Sequence, residues 1–125
     1  GILKTFLLSQ YGASKTGLER AVNAGGSYCV AGGDTPYEDL VGSVKEGILI
    51  TRFSGGRPND RGDFSGIAKN SYYIKDGKLA YPIQETTVSG NMVDLLQNIT
   101  GISVERLNFG SSILPWVKVS GITAS

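Results

Sequence analysis

The sequence contains no histidine and a single cysteine, Cys29. Each shortage removes a class of chemistry. Without an imidazole no unperturbed side chain titrates near neutrality, so Ser-His-Asp and Cys-His nucleophilic sites are excluded. One thiol cannot close an internal disulfide, which points to a reducing compartment, the cytoplasm. Protein zinc sites draw mainly on Cys and His, and one such ligand cannot hold the ion unaided. A surplus of charge is missing too. The 12 basic and 11 acidic residues leave a formal charge of +1, without the basic footprint of a nucleic-acid binder. No apolar run approaches the ~20 residues that cross a bilayer, so no membrane partner is expected. The opening Gly1-Ile2-Leu3-Lys4 has neither the layout of a secretory signal nor an initiator Met, and a piece of a longer chain is expected.

What is present is glycine, 18 of 125 residues, in clusters at Gly25-Gly26, Gly32-Gly33, Gly55-Gly56 and from Gly62 to Gly66. Short β-branched and aromatic runs lie between them. This punctuation predicts an α+β fold in one domain over residues 1–125, mostly antiparallel sheet with two short amphipathic helices. Residues 2–8 read as a first strand, 11–23 as a loop or a short helix around 18–22, and 27–31 as a short strand. Thr35-Pro36-Tyr37-Glu38 has the form of a capping box with Pro36 at the first helical position. Tyr37, Leu40, Val41 and Val44 then share one face. Gly47 should stop that helix, and residues 48–53 read as a buried strand. A polar loop is expected over 54–66, followed by a long hairpin, 67–75 with 78–88, about Asp76-Gly77. That register sets Ile74 against Leu79 and Tyr72 against Tyr81, and it puts Pro82 on an edge. Residues 91–99 read as the second helix, with Met92, Leu95, Leu96 and Ile99 on one face, and residues 102–109 and 113–122 as closing strands.

Several motifs invite functional readings. The glycine loops match neither a dinucleotide fingerprint nor a phosphate loop, so turn geometry accounts for them. Arg61-Gly62-Asp63 spells an adhesion tripeptide, a chance match in a chain with no other extracellular feature. Asp63 is expected to bond its own loop or Arg61. The carboxylates have no distinctive spacing for acid/base work. Glu85 continues the face of Leu79, Tyr81 and Ile83, and a partly buried salt bridge is expected for it. Cys29, within Tyr28-Cys29-Val30-Ala31, reads as a small buried hydrophobe. Trp116, Tyr72, Tyr73 and Tyr81 read as core, or as residues facing a partner.

Four segments, in order, resemble the C-terminal region of the TldD/PmbA family, and its PmbA (TldE) branch more than TldD. They are Asn23-Ala24-Gly25-Gly26-Ser27; Gly62-Asp63-Phe64-Ser65 with Gly66 and Ala68; Asp76-Gly77-Lys78 leading to Tyr81-Pro82-Ile83-Gln84-Glu85-Thr86-Thr87-Val88-Ser89-Gly90-Asn91, with Leu95 and Asn98-Ile99; and Gly110-Ser111-Ser112-Ile113-Leu114-Pro115. Order and spacing make the match strong, and it covers nearly the whole chain.

The resemblance implies a zinc-dependent cytoplasmic peptidase, a "modulator of DNA gyrase" in older naming, assembled from TldD-like and PmbA-like subunits and acting on unfolded peptides. In that family the His-Glu-x-x-x-His motif belongs to the TldD-like subunit, with a further Cys ligand. This chain has no part of the motif, and Phe109 stands before Gly110 where a Cys might be sought. No catalytic and no metal residue carries over; zinc is implied only in the TldD-like partner. The resemblance makes Asn23, Gly25, Gly26, Asp63, Glu85 and Asn91 candidates for a subunit interface or a peptide-chamber wall. The partner is then a TldD-like metal-bearing subunit or a second copy of the chain. Two other readings stay open: a stand-alone peptide-binding or homodimeric scaffold without peptidase activity, and a carboxylate-dependent hydrolase using Asp63 or Glu85.

Overall fold

Capping decides where the first helix forms. In the computed structural model, which describes residues 2–22 and 26–125, α1 spans Gln10–Thr16. The Ser9 hydroxyl accepts from the Gly12 N–H at 3.2 Å, and Gly17 closes the helix at φ 72°. A serine cap and a left-handed glycine stop place the helix ahead of residues 18–22, where a short helix was the alternative to a loop. The strand expected over residues 2–8 does not form. A strand exists only with a neighbour to pair with, and among the described residues this segment has none. Ile2, Leu3, Phe6 and Leu7 stay exposed.

β1 (Tyr28–Cys29) is short and exposed, so Cys29 is not the buried hydrophobe its apolar neighbours suggested. α2 (Tyr37–Gly42) buries Leu40, with Tyr37, Val41 and Val44 half-buried as the spacing predicts. The capping box does not close. Pro36 itself occupies the cap position, which leaves Thr35 outside the helix donating to Asp34 at 3.2 Å. The Tyr37 N–H instead reaches Glu105 at 2.8 Å. The helix ends at Ser43, ahead of Gly47, which lies in β2 (Glu46–Leu49). β3 (Arg52–Gly55) follows, with each of its residues exposed. The single buried strand expected over 48–53 is therefore two strands, and they join different sheets.

β4 (Asp63–Lys69), β5 (Ser71–Lys75), β6 (Lys78–Ile83) and β7 (Thr86–Asn91) form the long hairpin. Its register is constant from Asp63↔Asn91 through Ala68↔Thr86 and Ser71↔Ile83 to Tyr73↔Tyr81. The ribbon is interrupted once, at Asn70 (φ 50°), and there it divides between two sheets. Asp76 (φ 48°) and Gly77 (φ 74°) make the two-residue turn, with Ile74 opposite Leu79. Tyr72 faces Pro82 and not Tyr81, because a bulge at Ala80 adds one residue to β6. Tyr73 takes the place opposite Tyr81, and their rings stack at 5.1 Å. The Tyr73 hydroxyl donates to Glu46 at 2.5 Å, and that bond is the main reason its pKa is pushed up to about 12. β6 is an edge strand, as Pro82 requires.

α3 (Met92–Gln97) begins at Asn91, whose side chain accepts from the Val93 N–H at 2.9 Å and the Asp94 N–H at 3.4 Å. Met92 and Leu96 remain exposed while Leu95 and Ile99 are half-buried, so the predicted apolar face is only partly covered by the described residues. Ile99 already belongs to β8 (Ile99–Asn108); β9 (Ser112–Val119) and β10 (Thr123–Ala124) complete the chain. The sheets are ordered β1-β9-β8, β10-β7-β4-β3 and β2-β5-β6. The β1–β9 pair is parallel; the other strand pairs are antiparallel. Among the described residues the buried apolar side chains are few: Ala21, Leu40, Ala68, Ile74 and Val88. The accessible surface is 9202 Å², against about 6,400 Å² for a self-contained chain of 13.2 kDa. No helix among the described residues is long and apolar enough to cross a membrane.

Candidate functional site

The register of β4 with β7 brings two of the candidate residues together. Asp63 and Asn91 are direct cross-strand partners at one end of the ribbon, and the Asn91 amide donates to the Asp63 carboxylate at 2.8 Å. Asn59, in the loop before β4, donates to the other carboxylate oxygen at 3.1 Å. These amides hold the Asp63 pKa below its ordinary value of 3.8, Asn91 contributing most and Asn59 next, with a small opposing effect of burial. The Asn59 side-chain oxygen accepts from the backbone N–H groups of Arg61 and Asp63, both at 2.9 Å. Asn91 also donates to the Arg61 carbonyl at 2.9 Å, and the Met92 N–H donates to the Gly62 carbonyl at 2.8 Å. Loop 56–62 and the start of α3 are thus one hydrogen-bonded unit, and Asp63 bonds its loop through Asn59 and not Arg61.

Glu85 lies elsewhere. It pairs with Lys69 at 3.5 Å, the salt bridge expected, yet its side chain is 71% exposed and not partly buried. Lys69 is six residues along β4 from Asp63, roughly 20 Å. Two carboxylates so far apart, each already bonded, do not make an acid/base pair of the usual ~5–9.5 Å spacing. Gly26 precedes β1 in a different sheet, with φ 115° and open space where a side chain would stand. Asn23 and Gly25 lie outside the described residues.

The sequence reading missed Asn59 and the strand that leads to it. β3 was assigned partly to a buried strand and partly to a loop, yet it forms the edge of the four-stranded sheet. Its outer side has no strand partner among the described residues. The Phe53 ring lies over facing Gly55 and Gly66: a side chain on Gly66 would stand 2.6 Å from the Gly55 Cα. Phe64 meets Phe53 edge-on at 5.9 Å and covers Gly90. The signal for Asn59 was its position two residues before Arg61 and four before Asp63, where a short side-chain carbonyl can collect both N–H groups. A second feature is an open apolar groove of about 680 Å³ beneath α2, lined by Tyr37, Leu40, Val44, Ile48, Trp116 and Ile122 among others.

Comparison with known proteins follows the same outline. The sequence model of the PmbA/TldA metallopeptidase C-terminal domain matches residues 1–125. The chain is 37% identical to the metalloprotease PmbA homolog of Buchnera aphidicola, over 97% of this chain and 29% of that protein. With the metalloprotease PmbA of Escherichia coli the identity is 33%, over 97% of this chain and 28% of that protein. A solved structure from Bacteroides thetaiotaomicron, named a modulator of DNA gyrase, superimposes with a TM-score of 0.87 at 28% identity, covering 100% of this chain and 29% of that one. The chain therefore spans less than a third of the length of these relatives.

The relatives' names imply a metal, and the donors on this chain do not fit one. Among the described residues no three of His, Cys, Asp and Glu gather. The Cys29 sulfur has the Arg106 guanidinium at 3.7 Å, a cation where a metal would need room. Both Asp63 oxygens are taken by amides, and Glu85 by an ammonium.

Proposed function

We propose, from the premise that this chain belongs to the PmbA/TldA metallopeptidase family and is its C-terminal domain, that it is a non-catalytic part of a two-subunit zinc peptidase acting on unfolded peptides. In this reading it belongs to a PmbA-like subunit in the cytoplasm, and the metal is held by a TldD-like partner. The domain lends a subunit interface and a wall of the peptide chamber. The observation that carries the proposal is the surface. About 2,800 Å² more is exposed than a self-contained chain of this mass would leave, an amount expected of a part built to be covered. Large apolar residues, among them Phe109, Tyr28 and Leu96, are exposed while few are buried. The wall role is supported by the edge of β3, which can accept an extended peptide through backbone hydrogen bonds with little regard to its sequence.

The test is to mix the full-length protein with a metal-bearing TldD-like subunit, then follow co-elution and cleavage of an unfolded peptide. A complex with raised cleavage is the expected result. Neither co-elution nor any change in cleavage would overturn the reading. Peptide binding by the protein alone, as a self-associated dimer indifferent to the TldD-like subunit, would put the scaffold reading in its place.

A further inference from the structure

Arg61 and Asp63 stand two residues apart, and pairing them would be the simplest way to neutralise their loop. The fold does otherwise. The Asp63 carboxylate is taken by the neutral amides of Asn59 and Asn91. Among the described residues no ion pair reaches Arg57 or Arg61, and both are exposed. Asp60, between them, is exposed and likewise outside any ion pair. The Arg61 guanidinium nevertheless springs from a hydrogen-bonded stretch of backbone, and Arg57 lies four residues before it in the same loop. Asn59 N–H to the Asp63 carbonyl and Gly62 N–H to the Asn59 carbonyl are both 2.9 Å, and Asn91 holds the Arg61 carbonyl at 2.9 Å. A cation on a backbone that is already held binds an anion with little further backbone ordering, leaving the cost of fixing its own side chain. The loop also continues directly from β3, whose outer edge has no strand partner among the described residues.

We propose that loop 56–62, through Arg57 and Arg61, receives a carboxylate of the peptide that pairs along the edge of β3. This rests on the chamber-wall reading above and names the chemistry that the wall selects. A guanidinium fork matches a carboxylate with two parallel hydrogen bonds, which a backbone edge alone cannot supply. The carboxylate has two sources, the C-terminus of the peptide or an Asp or Glu side chain. Backbone pairing on β3 then provides sequence-tolerant affinity, and the loop adds a preference for a charged group at one end.

The experiment measures binding of a short unstructured fluorescent peptide to the full-length protein. Four forms are compared: free acid or C-terminal amide, each with Glu or with Gln at one position. Arg57→Gln with Arg61→Gln should weaken binding of carboxylate-bearing peptides about tenfold at low salt, a gap that narrows as salt rises. The amidated Gln peptide should bind wild type and variant alike. Loss of the preference on amidation assigns the C-terminus; loss on Glu to Gln assigns the side chain. Neither arginine side chain is buried, so unchanged melting of the variant is expected, and Arg57→Lys with Arg61→Lys should retain part of the preference. If wild type binds all four peptides equally, the carboxylate site is wrong and the peptide wall survives. If wild type binds none, the wall reading falls and this assignment with it.

Discussion

Loop 56–62 and segment 2–8 are both exposed and both lack regular structure over most of their length, yet they are exposed for opposite reasons. The loop is polar and is tied by Asn59, Asp63 and Asn91, so the backbone groups of Asn59, Arg61 and Gly62 find partners within the chain. The segment is apolar: Ile2, Leu3, Phe6 and Leu7 are 81%, 68%, 56% and 63% exposed, far beyond what an isolated fold would leave in one run. One is finished and presented; the other is unfinished until something covers it. Exposure alone does not separate these cases, but the hydrogen-bond inventory beside it does.

The largest effect on this contrast should come from Gly66→Ala. The added methyl would meet the Gly55 Cα at 2.6 Å and the Ser54 carbonyl at 2.8 Å, backbone atoms that cannot swing aside. A loss of about 2 kcal/mol is expected by denaturant titration, with faster amide exchange in loop 56–62 and none added in segment 2–8. A wild-type midpoint would mean that the β3–β4 hairpin is not what holds the loop. Asn91→Ala should come next, at about 1–1.5 kcal/mol, since it removes a helix cap and two ties to the loop at once. Its counterpart, Leu3→Ser with Phe6→Ser, should change the stability of the 125-residue chain by less than ~0.5 kcal/mol and weaken assembly of the full-length protein instead. An equal stability loss from both would erase the difference between the two regions.

The smallest effect is a pH dependence. The pKa of Asp63 is depressed in the folded chain, so its contribution is complete above the ordinary 3.8 and fades as pH falls through the lower folded value. Stability measured for wild type minus Asp63→Asn should therefore be constant at neutral and mildly acidic pH and shrink below about 3.8. Segment 2–8 holds no carboxylate and can add nothing to that curve. A difference that is flat down to pH 2 would remove the amide–carboxylate network from the account.

Much of this was legible one residue at a time. Asp76-Gly77 announced its turn, Pro82 its edge, Asn91 its helix start, and the spacing of Tyr37, Leu40, Val41 and Val44 its face. Each depends on local sterics or on a neighbour within a turn or two. The failures are of another kind. Thr35 lost its capping role when Glu105, 68 positions downstream of Tyr37, supplied the acceptor. Tyr72 lost its partner to a one-residue bulge at Ala80, which no hydrophobic pattern marks. Of the site, Asp63 and Asn91 were singled out separately, and nothing in the sequence said that they touch.

By itself, then, the sequence determined the exclusions and the local punctuation: no imidazole, one thiol, turns where glycine and Asp-Gly fall, a family outline in four ordered segments. Only the tertiary structure decided that β3 is an edge, where the ribbon divides, and that Asp63 is satisfied by amides while, among the described residues, no ion pair reaches Arg57 or Arg61. The reason is that turns and caps are settled by atoms a few residues apart, whereas edges, registers and ion pairs depend on which distant segments arrive at the same place.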